Sequence, residues 1–316
     1  QVRTGQLQRP AGFGRWHQHQ QLRARRTRTG LTLLPELPEV ETVRRGLANR
    51  LQSFVIQEAE ILRERAVASP GGATAFCRGL AGQTVGEWRR RGKYLIAQLL
   101  DPSTGEPSGC WGVHLRMTGQ FQWHEEPTEP CQHTRARFWN AREQELRFVD
   151  VRSFGEMWWV PQGTATDSVI TGLKRLGPEP FSEEFNAGYL QKKLKGSTRS
   201  IKAALLDQSL VAGAGNIYAD ESLFAAGIAP QTPAGRLNRK QLEHVCDSLV
   251  HVLEISIGVG GTTFSDFRDL EGVNGNYGGQ AAVYRRTGQP CLNCGTAIDR
   301  VKLAGRSTHW CPTCQS

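Results

Sequence analysis

The sequence predicts an α+β protein of several domains: a β-sandwich or barrel with flanking helices, then a mainly helical domain, then a small ribbon held by cysteines. Up to about residue 161, short segments rich in β-branched and aromatic residues alternate with Gly, Pro, Asp and Ser. Beyond Pro161 the apolar residues recur with helical spacing. Two C-x-x-C pairs lie at the C-terminus. A chain of 316 residues is long enough for two domains and an appendage.

Residues 1–34 differ in composition from the rest of the chain. They contain seven of the 39 basic residues and none of the 30 acidic ones, so the remaining residues carry a formal charge of only +2. The segment has no periodicity, which is typical of disorder, and its Arg-rich, acid-poor composition also fits an organelle transit peptide. A third interpretation is translation upstream of the true start, because Leu34 stands before Pro35 where an initiating Met is expected.

The first predicted helix opens at Pro35. Pro38 is tolerated in a first helical turn, where Glu39 and Glu41 also favour the positive end of the helix dipole. Its apolar face consists of Val40, Val43 and Leu47.

Residues 35–161 then form the predicted sandwich domain, built from seven segments with strand composition. These segments are residues 54–61, 93–100, 110–117, 119–124, 137–140, 146–151 and 156–160.

Residues 162–260 form the predicted helical domain. Ser182 is a candidate N-cap for a helix that carries Phe185, Tyr189 and Leu190. Asn238 is a candidate N-cap for a second helix, with an apolar face of Leu242, Val245, Leu249 and Val252. Residues 261–285 are Gly-rich and polar, and they predict a mobile loop and linker.

Composition excludes some classes of protein. No run of eighteen apolar residues is present, which argues against a membrane span, and no signal peptide is apparent. Four further Cys are scattered without spacing, so a secreted disulfide framework is not indicated and a reducing interior fits best. Because most of the net charge lies in residues 1–34, nucleic-acid affinity has to come from local clusters such as Arg89, Arg90, Arg91 and Lys93.

The strongest local pattern is C-x-x-C, sixteen residues, then C-x-x-C, which consists of Cys291, Cys294, Cys311 and Cys314. Two such pairs can close a tetrahedron around one structural Zn(II), with two disulfides as the alternative. Residues 286–316 therefore predict a zinc ribbon with a cationic hairpin between the pairs. The pattern alone indicates only that the ribbon binds another molecule, commonly nucleic acid.

Several motifs in a fixed order make the chain similar to the formamidopyrimidine-DNA glycosylases over residues 35–315. Pro35-Glu-Leu-Pro-Glu-Val-Glu-Thr opens the pattern, and Gly305-Arg-Ser-Thr-His-Trp-Cys-Pro-Thr-Cys-Gln closes it. Between them lie Arg91-Gly-Lys-Tyr, His114-Leu-Arg-Met-Thr-Gly, Leu176-Gly-Pro-Glu-Pro-Phe and Gly215-Asn-Ile-Tyr-Ala-Asp-Glu. The resemblance implies a helix-two-turn-helix arrangement in the helical domain and a bifunctional glycosylase and lyase of base excision repair. The implied partner is damaged double-stranded DNA.

The family chemistry implies that Pro35 is the nucleophile, through a free N-terminal amine. An α-amino group titrates at about pH 7.7–8, so a useful fraction is unprotonated at neutral pH, and it can form a Schiff base with the sugar C1′. Inside a chain the same nitrogen is a planar amide and cannot attack. The chemistry therefore requires removal of residues 1–34.

The resemblance assigns Glu36 as the proton donor, with a helix-start carboxylate as the alternative. Glu39 is either a second acid of the site or a structural acceptor, and Tyr218 is expected to pack within its helix. Lys93 is the implied proton donor and phosphate contact, and Arg306 is implied in elimination and phosphate binding.

Further DNA contacts follow from the resemblance alone. His114, Lys202 and Asn216 are implied to contact the DNA backbone, with Asn216 and Arg306 pinning the phosphates of the extruded nucleotide. Met117, Arg152 and Phe154 are implied to fill the stack left by that nucleotide. The chain departs from the family pattern at Val151, Ser153 and Ala214; the first two put one DNA contact in doubt, and the third is a packing change.

The expected substrates are 8-oxoguanine and formamidopyrimidines, with strand cleavage by β,δ-elimination. The endonuclease VIII branch, which prefers oxidised pyrimidines, is the enzymatic alternative, and an uncut lesion-binding protein without lyase activity is the other. The expected state is a monomer in a bacterial cytoplasm or nucleoid, or in an organelle if residues 1–34 are a transit peptide.

Overall fold

The structure, a computed structural model, describes residues 34–262 and 277–316. Residues 1–33, and residues 263–276 of the predicted loop and linker, lie outside the described residues, and so do the predictions made for them. Within the described ranges, no helix is long and apolar enough to cross a membrane.

The N-terminal part contains eight strands and two helices. Helix α1 spans Leu37–Arg50 and helix α2 spans Gly72–Leu80. The strands are β1 Glu58–Ile61, β2 Thr84–Arg91, β3 Tyr94–Leu100, β4 Pro107–His114, β5 Gly119–His124, β6 Thr134–Trp139, β7 Glu145–Asp150 and β8 Glu156–Pro161. They form two antiparallel sheets, with strand orders β1-β6-β7-β5 and β2-β3-β4-β8.

The predicted β-sandwich is confirmed, since the inner faces of the two sheets share one apolar core. At its centre Trp111 of β4 packs against Phe138 of β6, with ring centroids 4.5 Å apart, and against Phe121 of β5 at 6.0 Å. The α1 residues Val40, Val43 and Leu47 are fully or almost fully buried in this core, as their spacing predicts. Strand β2 and helix α2 were not among the predicted elements.

The helical part consists of α3 Thr166–Val169, α4 Ala187–Leu194, α5 Ile201–Leu205, α6 Asn216–Ala225 and α7 Arg239–Gly258. Asn238 caps α7 as predicted, because its side chain accepts a hydrogen bond from Gln241 N and the Gln241 side chain in turn accepts one from Asn238 N. The predicted cap at Ser182 is wrong. Asn186 caps α4 by accepting from Tyr189 N, whereas Ser182 Oγ donates to the Glu179 carbonyl.

Helix α1 belongs to both cores. Leu37, in its first turn, is fully buried among the helical-domain residues, while Val40 is fully buried in the sandwich. The backbone N of Leu37 also donates to the Gly213 carbonyl at 3.2 Å. The start of α1 is thus fixed where the sandwich meets the helices.

The C-terminal ribbon is a hairpin of β9 Asp299–Leu303 and β10 Arg306–Trp310. Its turn residues Ala304 and Gly305 have φ of 47° and 76°, the positive values that a tight two-residue hairpin turn requires. The turn brings Arg306 opposite Leu303 at the outer end of the hairpin.

Candidate active site and DNA-binding face

Glu36 lies where the N-terminal end of α1 meets the first turn of α6. It directly follows the buried Pro35 and precedes α1, and its carboxyl Oε1 accepts a hydrogen bond from Ile217 N in the first turn of α6. This approach requires a glycine at position 215, because a Cβ there would lie 2.1 Å from the Glu36 Cδ.

The carboxyl of Glu36 is in an environment that favours its protonated form. Burial raises its pKa to about 7, and the nearby charge of Lys93 opposes this only in part. Its other oxygen, Oε2, is buried and has no hydrogen-bond partner among the described residues. A buried acid that titrates near neutrality and has one free oxygen can donate a proton to a bound molecule.

Glu39 is engaged by several groups, which favours the structural alternative offered by the sequence. One oxygen accepts from Tyr218 Oη at 2.6 Å and from Thr262 N at 2.8 Å, and the other accepts from Glu36 N at 2.9 Å. Tyr218 is fully buried, as expected for helix packing, and its hydroxyl also lies 2.7 Å from Ser256 Oγ. Glu39 therefore joins the backbone of Glu36 to α6 and to the segment that follows α7.

Lys93 lies in the turn between β2 and β3 and is partly buried. Burial lowers its pKa, the charges of Glu36 and Glu39 act in the opposite direction, and Arg306 lowers it further. Lys93, Glu36, Glu39 and Arg306 thus lie within electrostatic range of one another. The structure brings together residues that are up to 270 positions apart in sequence.

The arginines before Lys93 are not free to neutralise phosphates, which corrects the expectation for this cluster. Arg90 pairs with Glu179 at 2.7 Å and Glu41 at 3.3 Å, and Arg91 pairs with Glu179 at 2.9 Å. Glu179 also accepts from Gly92 N at 2.6 Å. Arg89 is exposed but pairs with Glu87 at 2.8 Å. Carboxylates already occupy these guanidinium groups, and Glu179 holds the turn that carries Lys93.

His114 ends β4 and is partly buried beside Tyr94. Burial, together with the charges of Arg116 and Lys93, lowers its pKa to about 3, so the imidazole is neutral. Its Nδ1 accepts from Arg116 N at 3.0 Å, which assigns the proton to Nε2. His114 can therefore offer a neutral N–H donor to a ligand.

The residues expected to enter the DNA stack lie on two adjacent loops. Met117 is partly buried in the β4–β5 turn, while Arg152 is exposed and Phe154 partly buried in the β7–β8 loop. The Arg152 guanidinium lies 5.1 Å from the centroid of the Phe154 ring. Two positions in the β7–β8 loop differ from the family pattern: Val151 is 53% exposed, and Ser153 has a φ of 55°.

Asp150 joins these two loops. It is fully buried; its Oδ1 accepts from Thr118 Oγ1 and from Arg152 N, the latter at 3.1 Å, and its Oδ2 accepts from Gly155 N at 2.6 Å. Thr118 Oγ1 in turn accepts from Arg152 N at 2.9 Å. Sequence reasoning missed this role, although Asp150 opens the segment that carries Arg152 and Phe154.

A hydrogen bond from Asn216 to the residue after Arg306 brings these two predicted site residues close together. Asn216 is the first residue of α6, and its Nδ2 donates to the Ser307 carbonyl at 3.1 Å, directly after the exposed Arg306. The Asn216 Oδ1 is buried without a hydrogen-bond partner in the described part of the chain.

Lys202 does not reach the surface, and this departs from the implied phosphate contact. It is fully buried in α5. Its ammonium lies 2.6 Å from Asp220 Oδ1, and it donates to the Ser307 carbonyl at 2.9 Å and to Thr308 Oγ1 at 2.8 Å. Because the side chain is fully buried and its ammonium is surrounded by these three oxygens, Lys202 presents no donor at the surface for DNA.

The four cysteines of the ribbon converge as their spacing predicts. Their Sγ atoms all lie within 4.8 Å of one another, with 3.8 Å between Cys291 and Cys314 and 3.5 Å between Cys294 and Cys311. Thiolates around one tetrahedral zinc are about 3.8 Å apart, since each Zn–S bond is about 2.3 Å, whereas disulfide sulfurs are about 2 Å apart. The group therefore fits a metal ion and not two disulfides.

Three family models match successive parts of the chain. The formamidopyrimidine-DNA glycosylase N-terminal domain matches residues 34–157, and the H2TH domain of the same glycosylases matches residues 176–268. The zinc finger found in FPG and IleRS matches residues 288–316.

Full-length relatives and solved structures agree with these matches. The chain is 70% identical over 283 residues to the formamidopyrimidine-DNA glycosylase of Parasynechococcus marenigrum, covering 89% of this chain and 100% of the relative. It is 64% identical over 290 residues to that of Prochlorococcus marinus strain MIT 9313, with the same coverage of both chains. Lactococcus lactis Fpg in complex with abasic-site DNA is 35% identical, with a TM-score of 0.80 over 89% of this chain and 99% of that one.

A sandwich, an H2TH domain and a zinc finger arranged around one buried acid define a DNA glycosylase of base excision repair. The chain belongs to the formamidopyrimidine-DNA glycosylase family.

Proposed function

We propose that this protein excises oxidised purines, 8-oxoguanine and formamidopyrimidines, from double-stranded DNA and then cleaves the strand through an imine on Pro35. The observation that carries the proposal is the state of Glu36, one residue from the proposed nucleophile. It is a buried carboxyl with a pKa raised to about 7 and with one oxygen that has no hydrogen-bond partner in the described part of the chain. A proton donor has to be protonated at working pH, and this environment provides that.

The steps follow from these two residues. The Pro35 amine attacks the sugar C1′, and the damaged base leaves with the C1′–N bond electrons and takes up a proton. The Pro35 nitrogen has given up its N–H proton at this stage. Glu36 protonates the ring oxygen O4′ as the C1′–O4′ bond breaks, and the nitrogen lone pair forms the second bond to C1′, which leaves an iminium ion between Pro35 and C1′. Loss of the C2′ proton then expels the 3′ phosphate, and loss of the C4′ proton expels the 5′ phosphate.

Residues 1–34 have to be removed before the first step. While Leu34 is attached, the Pro35 nitrogen is an amide whose lone pair is delocalised. The match to the N-terminal family model begins at residue 34, and full-length relatives align with 89% of this chain. Both observations support a working enzyme that begins at Pro35.

The remaining assignments concern DNA and metal. Lys93, His114, Asn216 and Arg306 bind phosphates near the lesion, and Met117, Arg152 and Phe154 fill the vacated stack. The four cysteines hold Zn(II), which supplies structure and no open coordination position. Lactococcus lactis Fpg has been solved with a Fapy-dG DNA and also with an oxidised-pyrimidine DNA, so the base preference needs a direct comparison.

Borohydride trapping tests the chemistry. Protein that begins at Pro35 is incubated with an 8-oxoguanine:C duplex and sodium borohydride, and we expect a covalent protein–DNA product. Full-length protein with an intact N-terminus, confirmed by intact mass, is the matched control and is expected to give none. Absence of the product from the Pro35 form would overturn the proposed mechanism. Trapping by the intact full-length chain would overturn the role of Pro35.

Parallel excision assays test the substrate. With the Pro35 form we expect faster single-turnover release from 8-oxoguanine:C than from thymine-glycol duplexes of the same sequence. The opposite order would assign the chain the pyrimidine preference of the endonuclease VIII branch.

A further inference from the structure

Asp220 is a buried acid with no place in the chemistry above. It lies on α6, one helical turn after Asn216, and its side chain is fully buried. One oxygen faces the Lys202 ammonium at 2.6 Å, and the other accepts from His309 N at 2.9 Å, with His309 Nδ1 at 3.2 Å. Its two oxygens therefore connect α5 and α6 to strand β10.

All of the polar contacts from these helices to β10 fall on three consecutive residues. Lys202 and Asn216 both donate to the Ser307 carbonyl, at 2.9 and 3.1 Å, and Lys202 also donates to the fully buried Thr308 hydroxyl. Asp220 holds His309. The residue immediately before this anchored stretch is Arg306, which is exposed.

The anchored stretch connects two parts of the site. Helix α6 supplies Ile217 N to Glu36 and carries Asn216, while β10 carries Arg306. The outer end of the hairpin, at Ala304 and Gly305, is exposed. The distance between Arg306 and Glu36 is therefore set by how residues 307–309 are held against α5 and α6.

We propose that Asp220 and Lys202 form a positioning pair: they hold β10 against α6 and thereby place Arg306 for its phosphate contact, while Lys202 itself touches no DNA. The proposal rests on the proposed function, since it assigns Arg306 a role in DNA cleavage. The pair acts through Arg306, because a fully buried lysine with three protein neighbours has no donor for a phosphate.

The pair requires both of its charges. Asp220→Asn keeps the shape of the side chain and an oxygen for His309 N, but it leaves the Lys202 ammonium buried without a counter-charge. An unpaired buried charge is strongly unfavourable, so Lys202 moves, and the Ser307 and Thr308 contacts move with it. Asp299→Asn makes the same charge change at an exposed position of β9, in the hairpin that carries Arg306, and serves as the matched control.

A double-mutant cycle between Asp220→Asn and Arg306→Ala tests the proposal, with single-turnover excision of 8-oxoguanine as the readout. Arg306→Ala alone is expected to lose on the order of 100-fold, as for a lost charge-assisted phosphate contact. Asp220→Asn alone is expected to lose about tenfold, and less than about twofold when Arg306 is already Ala. Asp299→Asn is expected to keep the wild-type rate.

The outcomes separate the alternatives. A loss from Asp220→Asn that is equally large in both backgrounds shows an effect independent of Arg306 and overturns the proposal, as does an unchanged rate in either single variant. Metal content and melting temperature are measured for each protein. If Asp220→Asn loses the metal, Lys202→Met, which removes the other charge of the pair, replaces it in the same cycle with the same expected result. Failure of the proposed function is separately visible as failure of wild-type trapping.

Discussion

Glu36 shows how one residue's surroundings set its chemistry. In water a glutamate is ionised at neutral pH, but burial against α6 raises the pKa of this one to about 7. As the proposed nucleophile, the Pro35 amine has to be deprotonated, and an α-amino group loses its proton at about pH 8. As the proposed proton donor, Glu36 has to be protonated. These opposite requirements predict a bell-shaped pH dependence.

We expect the single-turnover glycosylase rate of the Pro35 form to be highest between about pH 7 and pH 8. Below this window Glu36 is already protonated and the deprotonated fraction of the amine keeps decreasing, so the rate falls about tenfold per pH unit. Above it the amine is already deprotonated and the protonated fraction of Glu36 keeps decreasing, with the same slope. Glu36→Gln, which cannot transfer a proton, should lower the rate by at least about 100-fold. The residual activity of Glu36→Gln should lack the alkaline limb. If it falls at high pH as the wild-type rate does, the alkaline limb does not report Glu36.

At the scale of single residues, the sequence predicts which apolar side chains are buried better than it predicts the partners of charged side chains. Helical spacing correctly predicts that Val40, Val43 and Leu47 are buried. The family motifs imply that Lys202 touches DNA, and the structure instead buries it against Asp220 and Ser307. A motif records which residue types occur together, whereas the partner of a charged group depends on contacts between segments about 100 positions apart.

At the element scale the missed strand and the misplaced cap have physical causes. Strand β2 contains only two buried apolar residues, Val85 and Trp88, with a register shift between them, so its alternation is broken. Its three terminal arginines suggest a solvated charge run, yet Arg90 and Arg91 pair with Glu179 across the domain junction. Ser182 and Asn186 are both good N-cap residues, and only the tertiary packing decides between them.

The two loops proposed to enter the DNA stack behave as one element, because Asp150 holds both. Asp150→Asn replaces one acceptor oxygen by an NH₂ group, which cannot accept from Gly155 N or from Thr118 and Arg152. We expect about tenfold weaker binding to duplex DNA with an abasic-site analogue, since Met117, Arg152 and Phe154 are no longer held in register. A fluorescence-anisotropy titration measures this.

The matched control is Asp247→Asn, on the exposed face of α7, which should bind like the wild type. Cleavage of a natural abasic site at saturating protein should change less than binding, because Asp150 is not near Glu36 in the chain or in its hydrogen bonds. Equal binding by Asp150→Asn and wild-type protein would show that the two loops do not need the hydrogen bonds of Asp150 to bind DNA.

At the scale of the whole molecule, the proposed site is assembled from all three parts of the chain. The sandwich supplies Lys93 and His114, the helical domain supplies Asn216, and the ribbon supplies Arg306, while α1 contributes to the cores of both larger parts. The ribbon has only a small core of its own, consisting of Val283, Cys291, Ile298 and Cys311, with Phe224 of α6 packed against it. Its structure therefore depends on the metal in a way that the sandwich does not.

Removal of the metal should separate these dependences. Chelation leaves four thiols where four bonds held the ribbon, so Arg306 loses its position and DNA affinity should fall on the order of 10- to 100-fold. The sandwich, with its buried Trp88 and Trp111, should keep its near-ultraviolet circular dichroism and its melting transition. Added Zn(II) should restore binding. Cys131→Ser changes an exposed thiol outside the cluster and should retain the metal, whereas Cys311→Ser should not. If the chelated protein bound DNA like the untreated one, the position of Arg306 would not depend on the metal. The contacts of residues 307–309 with the helices would then be sufficient to place Arg306.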